Sequence, residues 1–458
     1  MPSTRASHLA GLVRLGLVAS LAGCRPGPSV PVSAAPAASD SSVPALVAAA
    51  PVAPHEPSVR DAGRDEDRRL RGLDLVHLGI DESGVSAPAA AGTAHLTVDA
   101  DLQRTAAALM AARHLPEAAV VVMDVATGRI LAYASHVEKG EPRDLCVEAN
   151  APSASVFKVV TAAALIEDAH LTAETRQCYS GGEQRITAAD LAPDPERDKW
   201  CATLAEAMGH SVNTVFARLA KANLSPGQLE AMARRFGYGE AIAFDVPVQP
   251  SALHVPSDPL EFARTAAGFW NTTLSPLEAV ELSAIVARGG ESVRPTIVDD
   301  VVSSTGAVVW EATAPESPRR AIARETAEQL TAMMERTVVD GTSRRAFHDA
   351  HATPFLPGIA VAGKTGTLSS PEAQHYYTWF TGFAPVHPQA GERQVAIAAL
   401  VVNGPAWQIK ANVLARDVLR AYFAASGAPG VTRPSAKSAA RPEGDRPHTG
   451  TSAARHRR

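Results

Sequence analysis

Lysine is scarce in this chain, with seven lysines against thirty-six arginines. A guanidinium cannot give up its proton in a protein, whereas a desolvated lysine amine can. Each lysine kept in so arginine-rich a chain is therefore a candidate for work that arginine cannot do. Aromatic residues make up only 5% and the formal net charge is −5. With no basic stripe interleaved with aromatics, the balance speaks against a nucleic-acid partner. No His/Cys/carboxylate cluster has metal-ligand spacing, so neither a metal nor a cofactor is expected. The fifteen histidines, His210 and His375 among them, read as surface or loop residues.

Long apolar runs are also missing. The longest near the N-terminus, Leu15 to Ala22, falls short of the about 20 residues that span a bilayer. It follows Arg5 and Arg14 and ends in Leu21-Ala22-Gly23-Cys24. Small residues before a cysteine at the end of such a run resemble the bacterial lipobox, so residues 1–24 are expected to be a signal peptide and Cys24 a lipidation site. Three cysteines then remain, Cys146, Cys178 and Cys201. In an oxidising compartment a disulfide is plausible. A Cys178–Cys201 bridge would clip a Gly- and Pro-containing excursion and be worth about 3 kcal/mol in chain-entropy terms. Other pairings and free thiols stay open at this level.

Residues 25–92 are rich in Ala, Pro, Ser and Val without periodicity and read as a disordered tether; residues 426–458 read as a disordered basic tail. Between them, 93–425 reads as one folded unit. Leu102–Arg113 has helical spacing, and Ala118–Met123 and Arg129–Ala134 read as strands joined at Ala126-Thr127-Gly128. Ser155 to about Phe347 is mostly helical: Val156–Asp168, Leu204–Met208, Thr214–Lys221, Pro226–Phe236, Pro276–Ala287 and Glu325–Val339. Strands return at Ile359–Thr367, Tyr376–Ala384 and Val395–Val402, and Ile409–Ala424 closes as an amphipathic helix. Strands at both ends with helices between predict an α/β (α+β) fold. A central antiparallel sheet of about five strands would carry flanking helices and an inserted all-helical lobe, with a site at their seam. Trp200, Trp379 and Tyr376 read as core, with lining the cleft as the alternative.

Only Lys158 has a serine three residues before it, Ser155, at the start of a run free of glycine and proline. That spacing puts both side chains on one face of a helix's first turn. Packed against apolar neighbours, the amine is a candidate base for the serine. A second element, Ser211-Val212-Asn213, lies at a break between two short helices, where capping is the alternative use of those residues. The third, Lys364-Thr365-Gly366-Thr367, ends a strand and offers a cation and two hydroxyls on a backbone open to close approach.

In this order, Ser-x-x-Lys, Ser-x-Asn and Lys-Thr-Gly form the signature set of penicillin-binding proteins and serine β-lactamases. The chain resembles the penicillin-binding-protein transpeptidase domain over essentially the whole folded unit. Flanking segments agree: Leu96 to Gln103, Leu274-Ser275-Pro276 and Trp379 to Pro385. Some family members carry a cysteine pair where Cys178 and Cys201 fall. The resemblance implies that Ser155 is acylated by a terminal D-alanyl-D-alanine, Lys158 takes its proton, and Ser211 relays a proton to the departing D-alanine. Asn213 would hold the substrate amide. Lys364 would keep Lys158 neutral, and Thr365, Gly366 and Thr367 would form the carboxylate clamp. The oxyanion hole would be the backbone N–H groups of Ser155 and Thr367, each such donor being typically worth about 3–4 kcal/mol.

The implied activity is a penicillin-sensitive D,D-transpeptidase on peptidoglycan stem peptides, with β-lactams as covalent inhibitors. It would face the periplasm or wall on a lipid anchor, beside a separate glycan polymerase. A D,D-carboxypeptidase or endopeptidase, a β-lactamase or β-lactam sensor, and a silent wall-binding scaffold are the alternatives. Asn213 counts against a class D β-lactamase, and no glutamate stands out as a class A water activator. One departure is clear: many members carry Pro-Gly before the nucleophile, and here the pair is Ser153-Ala154.

Overall fold

The computed structural model describes residues 69–182, 185–312, 318–370 and 374–435. Cys24 and the expected signal peptide lie outside the described residues, as do the tether up to residue 68 and the tail from 436. The folded unit begins earlier than residue 93. Strands β1 (Gly79–Asp81), β2 (Gly84–Ala89) and β3 (Gly92–Leu96) precede helix α1 (Ala100–Ala111), which Asp99 caps by accepting from Leu102 N. Leu75, Val85, Ala87 and Ala94 are buried, and no tether buries such side chains.

The hairpin β4 (Glu117–Asp124) and β5 (Ile130–Val137) turns at Asp124, whose Oδ1 accepts from Thr127 N at 2.9 Å. The short strand β6 (Ala151–Pro152) leads through a 3-10 turn (Ala154–Phe157) into α2 (Lys158–Glu167). Strand β7 (Arg176–Tyr179), helix α3 (Ala188–Leu191) and strand β8 (Trp200–Thr203) form a small excursion. Four helices follow: α4 (Leu204–His210), α5 (Asn213–Asn223), α6 (Pro226–Arg235) and α7 (Pro259–Ala266). Strand β9 (Thr273–Leu274), which pairs with β6, precedes α8 (Pro276–Ala287).

Strands β10 (Glu291–Ser292), β11 (Val298–Val302), β12 (Val308–Glu311) and β13 (Arg319–Arg320) lead to α9 (Arg324–Val339) and α10 (Arg344–Phe347). Then come β14 (Ala362–Ser370), β15 (His375–Ala384), β16 (Val395–Asn403) and α11 (Ala411–Ala425).

The main sheet is antiparallel in the order β14-β15-β16-β4-β5. All nine residues of β16 are buried, as a central strand covered on both faces requires. Helix α8 packs on one face, and α1 and α11 pack on the other. Strand β14 is an edge, so its outer side is free to border a site.

The expected lobe between β5 and β14 is mostly but not all helical. A second antiparallel sheet, β1-β2-β3-β11-β12, draws two of its strands from that stretch. Each of its strands is six residues or shorter, too brief to set a two-residue period by itself. The C-terminal boundary also moves. Residues 426–435 continue against the core: Val431 packs there, Arg420 donates to Thr432 Oγ1 at 2.7 Å, and Arg433 donates to Thr105 Oγ1 at 2.9 Å. Trp379 is core at 1% exposure, Tyr376 is half-buried, and Trp200 is 53% exposed on the β8 hairpin.

Candidate active site

The cleft lies where the 3-10 turn abuts β14. Lys158 opens α2 one turn after Ser155, and both project to one side as their spacing predicts. The Lys158 side chain is fully buried. Its Nζ lies 2.7 Å from Ser155 Oγ, 2.7 Å from Asn213 Oδ1 and 2.5 Å from the Ala267 carbonyl oxygen. Burial holds this amine well below its ordinary value, and the charge of Lys364 pushes it further the same way.

Ser211 ends α4 in the left-handed conformation (φ 58°), which breaks the helix and lets α5 restart at Asn213. The break turns Asn213 toward Lys158 and Ser211 toward the strand. Lys364 comes from β14, also fully buried, and its Nζ donates to Ser211 Oγ at 3.0 Å and the Thr365 carbonyl at 2.7 Å. Burial lowers it to about 7. The register Lys364↔Thr381 and Gly366↔Trp379 fixes where the Lys-Thr-Gly segment lies along the edge.

Ser155, Ser211, Asn213, Thr365, Gly366 and Thr367 all line one cleft of about 320 Å³, and Lys158 and Lys364 sit behind it. Sequence reasoning missed other members of this lining, including Thr342, Lys410 and Asn412. Thr342 follows the end of α9 and shares a 2.6 Å hydroxyl contact with Thr365. Its Asp340-Gly341-Thr342 context reads only as a helix stop, so no chemical signal marks it. The Ala267 carbonyl was equally invisible, because a backbone acceptor has no residue-type signature.

The nucleophile's approach is tightly held. Trp379 Nε1 donates to the Pro152 carbonyl at 2.9 Å, and Tyr238 Oη donates to Ser153 Oγ at 3.1 Å. Ala154 has φ 48°, a left-handed conformation that glycine adopts without cost. The family's usual glycine thus has a backbone reason, and this chain meets the same geometry with alanine. Gly366 faces it: a Cβ there would lie 3.2 Å from Ala154 Cβ and 3.2 Å from Trp379 Cβ.

Cys178 and Cys201 are disulfide-bonded as register partners of β7 and β8, while Cys146 is free and buried. Arg218 of α5 ties this hairpin to the helix that carries Asn213. It donates to the Cys178 carbonyl at 2.8 Å and to Asp198 Oδ2 at 2.5 Å, and that bond holds the Asp198 carboxyl well below its usual range.

The arrangement holds a hydroxyl against a buried amine, with a second amine across the cleft, and suits nucleophilic acyl transfer. Among the described residues no group of His, Cys, Asp and Glu could hold a metal. The chain is 30% identical over 268 residues to peptidoglycan D,D-transpeptidase PbpA of Mycobacterium tuberculosis, covering 55% of this chain and 50% of the relative. It is 26% identical over 251 residues to stage V sporulation protein D of Bacillus subtilis, covering 53% of this chain and 37% of that protein. The chain therefore spans about half the length of the first relative, and less of the second.

Two solved structures share the fold: the D,D-transpeptidase domain of a peptidoglycan glycosyltransferase from Eggerthella lenta, and the imipenem acyl-enzyme complex of penicillin-binding protein A from M. tuberculosis. The first has a TM-score of 0.59 at 23% identity, covering 76% of this chain and 95% of that one. The second has a TM-score of 0.59 at 24% identity, covering 72% and 79%. Residues 118–420 match the family described as penicillin binding protein transpeptidase domain, two thirds of the chain with every motif residue inside the match, and on that match the protein belongs to this family.

Proposed function

We propose that this protein is a serine-type D,D-transpeptidase that cross-links peptidoglycan stem peptides through a Ser155 acyl-enzyme. The observation that carries the reading is the 2.7 Å contact between Ser155 Oγ and a lysine amine that burial and a second lysine hold well below its ordinary value. Ser155 Oγ attacks the carbonyl of the penultimate D-alanine while Lys158 takes the hydroxyl proton. The C–N bond to the terminal D-alanine breaks, and Ser211, hydrogen-bonded to Lys364, passes a proton to the departing amine. The amine of a second stem peptide then attacks the ester, restoring Ser155 and forming the cross-link.

Asn213 Oδ1 accepts from Lys158 in the resting site, and the Asn213 side chain borders the cleft where it would hold the substrate amide. Thr365 and Thr367 hold the terminal carboxylate, and Gly366 lets the strand approach the nucleophile turn. The Ser155 and Thr367 backbone N–H groups serve the oxyanion. β-Lactams acylate the same serine; the related M. tuberculosis protein has been solved as imipenem and penicillin G acyl-enzymes.

The protein is placed outside the cytoplasm and on a bacterial membrane, held by a lipid on Cys24 and working beside a separate glycan polymerase. No described helix is long and apolar enough to cross a membrane. Fluorescent penicillin is expected to label the protein covalently and to leave Ser155→Ala unlabelled; a folded wild type that takes no label overturns the assignment. Muropeptide analysis then separates cross-linking from trimming, and palmitate labelling that survives Cys24→Ala removes the anchor.

A further inference from the structure

Helix α7 gives no side chain to the cleft, yet its C-terminal end meets the base. The last carbonyls of a helix have no intrahelical donor. Here two of them turn to α2. The Ala266 carbonyl accepts from Thr161 Oγ1 at 2.8 Å, and the Ala267 carbonyl accepts from Lys158 Nζ at 2.5 Å. Thr161 and Lys158 are three residues apart, so they form one ridge of α2 facing that end. Thr161 is fully buried, and its hydroxyl also reaches its own helix at the Phe157 carbonyl, at 3.3 Å. Gly268 closes the turn at φ 81°, and a Cβ there would meet the Ala154 carbonyl oxygen at 2.4 Å and Ser155 Cα at 2.9 Å. The turn is therefore pressed against the nucleophile as well as the base.

A neutral amine has two N–H donors and one lone pair. Of the three atoms around Lys158 Nζ, Asn213 Oδ1 and the Ala267 carbonyl can only accept, while Ser155 Oγ can also donate. When both N–H bonds go to the pure acceptors, the lone pair is left facing the serine hydroxyl. With Asn213 alone the amine could rotate and present an N–H to Ser155. We infer that Thr161 and the C-terminal end of α7 form a clasp that sets the rotation of the Lys158 amine. Thr161 is its positioning residue and the Ala267 carbonyl its point of contact.

The clasp bears on the charged state too, because a carbonyl at the negative end of a helix favours the ammonium formed when Lys158 takes the serine proton. Other charges around α2 are engaged elsewhere. Lys364 opposes from β14. Glu167 pairs with Arg235 of α6 at the far end of α2, and Glu261 and Arg264 of α7 pair with each other.

The inference rests on the acylation reading above, so its test includes a readout that needs no acylation. Thr161→Val removes the hydroxyl and keeps the shape. In the full-length variant the rate of fluorescent-penicillin acylation is expected to fall about tenfold. The midpoint of its acid limb should move to lower pH, since the ammonium has lost support. Thr161→Ser should restore both. Titration of ¹³Cε-lysine, with Lys158 identified by its loss in Lys158→Arg, should show the same downward move and the same rescue. An unmoved Lys158 midpoint in Thr161→Val overturns the clasp, whether or not the wild type takes penicillin. So does a fallen rate that serine fails to rescue. A wild type that titrates as expected but takes no penicillin overturns the acylation reading instead.

Discussion

The helical wall of the cleft and its strand wall each contribute one lysine, and the two are buried to the same degree. Their company differs. Lys158 Nζ is surrounded by a hydroxyl, a side-chain amide oxygen and a helix-end carbonyl, while Lys364 donates to Ser211 and to the carbonyl of its own neighbour, Thr365. Desolvation lowers both amines, but only Lys158 is also pushed down by the charge of the other. On the acylation reading, Lys158 is the amine that gives up its proton and Lys364 the one that opposes it. Two identical side chains thus differ in their electrostatics by placement alone.

The largest effect expected from this division is on Lys158→Arg, whose guanidinium cannot accept the serine proton. Acylation by fluorescent penicillin should fall by about 10³-fold or more, while Lys364→Arg, which keeps a cation, should lose about tenfold to a hundredfold. Equal losses would erase the distinction between the walls. Lys364→Met should act through pH as well as rate. Without the like charge the Lys158 ammonium persists to higher pH, so the acid limb of acylation should move upward; a limb that stays in place removes Lys364 as the cause.

Where the walls touch, Gly366→Ala should destabilise the fold by about 1–3 kcal/mol in denaturant titrations, because its Cβ meets Ala154 Cβ at 3.2 Å. Ala154→Gly relieves both that contact and the left-handed φ, so the double variant should be more stable than the sum of the single effects; strict additivity would show that the contact is not the cause.

A separate effect concerns a buried acid on α8, where desolvation acts with the opposite sign. Glu278 of α8 is raised from its ordinary 4.5 to about 8 by burial, with Ser251 opposing and Glu281 adding. The folded chain thus holds a proton there that the unfolded chain releases above about pH 4.5. The associated stability is present below that value and lost as pH rises through about 8. Glu278→Gln should flatten that loss in melting curves taken across the window.

The strand wall was the more legible of the two. Ile359–Thr367, Tyr376–Ala384 and Val395–Val402 are long, apolar and bounded by turns, so their pairing could be anticipated. Ser155, Lys158, Ser211, Asn213 and Lys364 were legible because each needs its own side chain at fixed spacing. The second sheet was not, since β3 finds its partner β11 two hundred residues away and neither strand is long enough to declare itself. The clasp was not, because its acceptors are main-chain carbonyls of two alanines. Thr161 gave no sign, as a threonine inside a helix commonly bonds back to its own turn.

The strand order of the main sheet sets a schedule for the chain's assembly. β16 lies between β15 and β4, with Leu400 opposite Ala119. Until that last strand is delivered, the β4–β5 hairpin has no sheet to join, and non-local pairings of this span form late. A chain emerging N-terminus first carries Ser155 and Lys158 for two hundred residues before Lys364 exists. The nascent protein holds its serine and the first lysine of the pair without the opposing cation until β14 has been made.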